Sequence, residues 1–100
     1  MATRPEMATA NNANLGVLMV GTNILTPYFS ANTTTYTTNT TNSSDTIVAE
    51  AAVNGATVTS TVNNASITGT ATWSTGENTL KVTVTNGTAT KVYTVTVTKS

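Results

Sequence analysis

The chain has no cysteine and no histidine among its 100 residues, and only 8% of them are charged. Each shortage excludes a class of chemistry. Without cysteine no disulfide framework forms, and without cysteine or histidine the usual zinc ligands are gone. Most nucleophilic and general-base catalysis loses its customary residues as well. The four basic residues are balanced by four acidic ones, so there is no basic footprint for nucleic acid. No window approaches the roughly 18 apolar residues that a membrane helix needs. The charged start and apolar stretch of a secretion signal are missing too. The expectation is a chain with no cofactor and no metal, not an enzyme, which neither binds nucleic acid nor inserts into a membrane.

What the chain has in excess is small, uncharged and polar: 27 Thr, 12 Asn and 7 Ser. Leu, Ile, Val and Phe number 19. That is close to the poverty of disordered chains, but disorder also calls for a high net charge, and here it is zero. So few apolar side chains make a core only if each element turns them to one face. Strands do this by alternation, and threonine suits the outer face because it is β-branched and polar at once.

The pattern follows that logic. Residues 1–14 carry Arg4, Pro5, Glu6 and Met7 but no period, and read as an arm or linker. The domain is placed at 15–100. Leu15, Leu18 and Val20, then Ile24 and Leu25, suggest one or two short strands broken at Gly21-Thr22-Asn23. Pro27 bars a regular central strand there, so Tyr28 and Phe29 are expected to fold over an edge. Thr33 to Thr38 reads as a strand with Tyr36 inward, and 39–44 as a turn. A further strand carries Ile47, Ala49 and Ala51 up to a turn at Asn54-Gly55, and Val58 and Val62 follow. The clearest signal is last: Leu80, Val82 and Val84 alternate with Lys81, Thr83 and Thr85, a turn comes at Asn86-Gly87, and Tyr93, Val95 and Val97 alternate with Thr94, Thr96 and Thr98. That is a β-hairpin. Short strands at spacings near ten residues with no helix between them predict an all-β protein, an antiparallel β-sandwich of about seven strands.

The order of these pieces resembles the cadherin-like β-sandwich domain of bacterial surface proteins, of the immunoglobulin-like superfamily. The resemblance spans 15–99. It rests on Leu15, Leu18 and Val20, on Leu25-Thr26-Pro27-x-Phe29-Ser30 and Thr33-Thr34-x-Tyr36-Thr37, and on Ala49-x-Ala51-Ala52 and Gly55-Ala56-Thr57-Val58. Gly76-Glu77-Asn78-Thr79-Leu80 with the final hairpin completes it. Asp45 is the only aspartate, so the calcium clusters of true cadherins are not implied. Asp45 also stands where such domains often have valine, and it is expected to fray the start of its strand. The resemblance implies a non-catalytic spacer or binding module.

Sites with chemistry are few. Glu50 and Glu77 are expected to be solvated, not a glycosidase pair facing one cleft. Lys81, Lys91 and Lys99 raise an isopeptide cross-link, which needs a buried lysine beside an Asn and an acid. Lys91 alone has the inward phase, and its head is expected to reach water. The five Asn-x-Ser/Thr sequons, at Asn32, Asn39, Asn42, Asn64 and Asn86, match the roughly four that this composition produces by chance. Trp73, Tyr28 and Phe29 suggest a sugar-stacking platform, but Trp73 reads better as core. Tyr28 beside Pro27 is the best exposed candidate.

A surface-type domain beginning at Met1 without a secretion signal is expected on a virion, as a decoration protein on a phage capsid or tail. Arg4, Pro5, Glu6, Met7 and Tyr28 are its candidate assembly contacts, and its partner is a capsid or tail protein. The alternatives are a spacer or adhesion module from a longer secreted bacterial surface protein, whose partners are neighbouring modules, and a carbohydrate-binding module for surface glycans.

Overall fold

Where Val and Thr alternate, both β-branched, the backbone runs extended. In the computed structural model, which describes residues 12–100, eight strands result: β1 (Leu15–Val20), β2 (Thr35–Thr40), β3 (Ser44–Ala51), β4 (Thr57–Val62), β5 (Ala65–Ile67), β6 (Thr70–Thr72), β7 (Gly76–Asn86) and β8 (Ala89–Lys99). They form a three-stranded sheet, order β1-β3-β6, and a five-stranded sheet, order β2-β8-β7-β4-β5. The protein is all-β, two sheets enclosing one core.

The hairpin of β7 and β8 is the spine, paired continuously from Gly76↔Lys99 to Asn86↔Ala89. Its inward phase buries Leu80, Val82 and Val84 on one arm and Tyr93, Val95 and Val97 on the other. Each such side chain contributes about 1.5–3 kcal/mol relative to exposure. Opposite them lie Leu15, Leu18, Val20, Ile47 and Trp73 of the smaller sheet and its connections. The outward phase is mostly threonine, as expected, with Glu77, Lys81 and Val92 among it.

Four details differ from the sequence reading. The hairpin turn sits one residue later than Asn86-Gly87: Asn86 still pairs with Ala89, and Gly87 (φ 61°) and Thr88 form the loop. A second tight turn, Asn63-Asn64, joins β4 to β5 with both residues at positive φ, 51° and 72°. This is the left-handed pair that a twisted hairpin favours. The Asn54-Gly55 turn is real, but it carries the chain from one sheet to the other. Finally, β2 pairs with β8 in parallel, Thr35↔Thr94 through Thr40↔Lys99, so the sandwich is not purely antiparallel. The cause is the long connection 21–34, which crosses between the sheets and returns the chain alongside β8 in the same direction.

The folded body also starts before Leu15. Ala13 is buried, the Ala52 amide donates to the Asn14 carbonyl at 2.9 Å, and Asn86 Nδ2 donates to the Asn12 carbonyl at 3.2 Å.

Candidate functional site

The corner after β1 is built by a glycine. Gly21 sits at φ +56°, and a Cβ there would fall 2.6 Å from Asp45 Oδ1, so only glycine turns the chain at this place. The turn is closed by Gly21 N–H donating to the Thr46 carbonyl at 2.7 Å and Asn23 N–H to that of Val20 at 3.0 Å. The chain then crosses to the outer edge of β2. There Thr26 and Thr37 exchange both backbone hydrogen bonds at 2.9 Å, and Thr38 Oγ1 donates to the Ile24 carbonyl at 2.8 Å.

With the backbone pinned, Leu25 and Phe29 turn inward and the residues between them stay exposed. Leu25 is buried. Phe29 packs inward, its ring 6.2 Å from that of Tyr36 and 6.3 Å from that of Tyr93. Ile24 and Tyr28 point away from the core, 70% and 80% exposed, and Met19 of β1 joins them at 49%. They border a concavity of about 260 Å³ floored by Leu18, Leu25 and Phe29. Among the described residues, no Asp, Glu, Lys or Arg lines it. Of the three aromatics considered for a platform, only Tyr28 is available: Trp73 is buried, and Phe29 is spent on the core.

A second concavity, about 440 Å³, opens where the two sheets part, between Ile47 and Ala49 of β3 and Val58 of β4. It exists because β5 and β6 are only three residues long and cover Ser60–Val62 and Ser44–Thr46 alone. Strands too short to show a period gave no hint of it in the sequence.

Asp45 is the residue the sequence reading misjudged. It does not fray β3; it is 8% exposed and ties four segments together. Its Oδ2 accepts from Trp73 Nε1 at 2.9 Å, Asn23 Nδ2 at 3.1 Å and Thr40 Oγ1 at 3.2 Å. Its Oδ1 accepts from Asn42 Nδ2 at 2.8 Å. Burial pushes this carboxyl up, but the hydrogen bonds from Trp73, Asn42, Asn23 and Thr40 outweigh that and hold it below its ordinary value of 3.8. Trp73, the donor at 2.9 Å, lies 28 residues away in sequence. Asn78 is a comparable case: fully buried, its side chain meets Ser74, Asn63, Gly76 and Val97.

At the far end of β8, Lys91 Nζ donates to Asn14 Oδ1 and to the Ala31 carbonyl, each at 2.8 Å, and lies 5.4 Å from the Tyr93 ring centroid. It stands beside an asparagine, as an isopeptide bond requires, but its hydrogen-bond acceptors among the described residues are an amide and a carbonyl, not a carboxylate that could move the proton. Glu50 and Glu77 are exposed, on strands of different sheets. Arg4, Pro5, Glu6 and Met7 lie outside the described residues. Among the described residues, Glu50 and Glu77 do not face a common cleft, and the arrangement offers contact surfaces. Neither a protein-family model nor a curated protein matches this chain.

Proposed function

We propose that this chain is a non-catalytic docking module of cadherin-like, immunoglobulin-like type, a decoration protein seated on a bacteriophage capsid or tail. The observation that carries the docking role is the corner of Met19, Ile24 and Tyr28: three large side chains exposed together on a rigidly pinned segment, around an uncharged hollow. Aromatic and aliphatic anchors of this kind supply most of the energy of an interface. A chain whose charges cancel has little long-range steering, so such contact is governed by shape and by hydrogen bonds from Thr and Asn. A small β protein without net charge gains from being held on a larger surface, since it lacks the usual protection against self-association.

The test is co-sedimentation of the full chain with intact particles of its source phage. Saturable binding that changes little with salt is expected, weakened by about tenfold or more in Tyr28→Ala. No saturable binding overturns the virion reading. Equal binding by Tyr28→Ala and the parent removes the corner as the contact. Deletion of residues 1–11 then examines the other candidates, Arg4, Pro5, Glu6 and Met7; it stops at Asn11 because Ala13 is part of the core.

A further inference from the structure

The chain contains two Asn-Gly pairs, Asn54-Gly55 and Asn86-Gly87, and the fold treats them in opposite ways. Asn-Gly is the dipeptide in which an asparagine side chain is most readily attacked by the following amide, because glycine puts no Cβ in the way. We propose that Asn54 is a site of spontaneous covalent modification, converting to aspartate and isoaspartate in the folded protein, while Asn86 is protected.

The step balances without a co-reactant other than water. The Gly55 amide nitrogen, losing its proton to solvent base, bonds to Asn54 Cγ. The Cγ–Nδ2 bond breaks and ammonia leaves, giving a five-membered succinimide. Water then opens the ring at either carbonyl, leaving aspartate or its backbone-lengthened isomer.

Geometry decides where this happens. Asn54 is exposed in the crossing between β3 and β4, and its side chain makes no hydrogen bond with the described residues. Gly55 adopts φ +92°, and a Cβ built on it would meet nothing within 4 Å. Nothing therefore crowds the Gly55 nitrogen from the glycine side, and the exposed, unbonded Asn54 side chain is free to approach it. Asn86 is the last paired residue of β7, fixed in extended conformation against Ala89, and its Nδ2 is engaged with the Asn12 carbonyl at 3.2 Å. Attack there requires the hairpin end to open and the side chain to leave Asn12.

The consequence is a charge. Four acids become five against four bases, so an uncharged chain acquires a net charge of −1 at the crossing between its two sheets.

The experiment ages the full chain at neutral and mildly alkaline pH, then cleaves after glutamate. Cuts after Glu50 and Glu77 place Asn54 in 51–77 and Asn86 in 78–100. The mass gain of an amide turned acid is then followed separately in each, with fragmentation to locate it. Asn54 is expected to convert about tenfold or more faster than Asn86, since Asn86 reacts only through local opening. The rate should rise with pH, vanish from 51–77 in Asn54→Gln, and become similar at the two sites in denaturant. Equal rates in the native protein, or faster conversion at Asn86, overturn the proposal. So does conversion in 51–77 that persists in Asn54→Gln.

Discussion

Asp45 and Lys91 lie toward opposite ends of the sandwich, and each is a charged group whose hydrogen-bond partners among the described residues are all neutral. Asp45 is enclosed: its carboxylate accepts from four neutral side chains. Lys91 is half-buried, its ammonium meeting an amide oxygen, a carbonyl and the face of the Tyr93 ring. The difference teaches how a chain with few charges uses them. Around an anion largely withdrawn from water the protein has to supply the donors that water would, and so the anion organises the segments that carry them. A cation that keeps contact with water needs less and organises less.

Removing the enclosed anion is therefore the largest way to break that comparison. Asp45→Ala strands Trp73 Nε1 and the Thr40 hydroxyl in the interior, and about 3 kcal/mol of stability is expected to go, read as a fall in the urea midpoint. Asp45→Asn is expected to cost only about 1 kcal/mol. Its carbonyl oxygen can take the Oδ2 place with three donors, while its NH2 faces Asn42, whose amide can turn to accept. Equal losses in the two variants would show that the site is held by charge and not by acceptor geometry.

Acid supplies the second test. The folded carboxyl titrates below its ordinary 3.8, so its contribution to stability is fully present above that value. It is lost as the pH falls through the lowered folded value. Denaturant midpoints measured down a pH series should fall in that range in the parent and fall less in Asp45→Asn. A parallel fall in both would assign the acid sensitivity to other carboxylates.

These effects also mark what was legible in the sequence. The spine was, because alternation from Leu80 to Thr85 and from Tyr93 to Thr98 writes the phase of both long strands directly. Tyr36 inward followed from the period of its own strand; Pro27 marked the Tyr28 corner as a candidate for exposure, and only the fold separates Tyr28 outside from Phe29 inside. Asp45 was not legible, because its value lies in donors from positions 23, 40, 42 and 73 that only the fold brings together. Asn63-Asn64 was hidden for another reason: in a chain with 12 Asn, a turn made of asparagine does not stand out. The three-residue strands β5 and β6 carry no readable period, and with them went the cleft between β3 and β4.

The half-open cation gives a smaller effect. Lys91→Met keeps the aliphatic stem and loses the ammonium, and about 1 kcal/mol or less is expected in the same midpoint measurement. A loss as large as that of Asp45→Ala would mean that Lys91 anchors Asn14 and Ala31 as firmly as Asp45 anchors its four donors.

The smallest effect is expected where neither ion reaches, on the threonine face. Thr57 and Thr85 face each other across β4 and β7, both exposed. Replacing one, as Thr85→Lys, leaves its partner a threonine and the strand phase intact, so stability should change by no more than about 0.5 kcal/mol. Solubility should change more, because the net charge moves from zero to +1 and away from the point where small β domains associate. If Thr85→Lys is instead as damaging as Lys91→Met, the threonine face is not a passive solvent surface. Its hydroxyls would then belong to the fold's hydrogen bonding as fully as the ring of donors around Asp45.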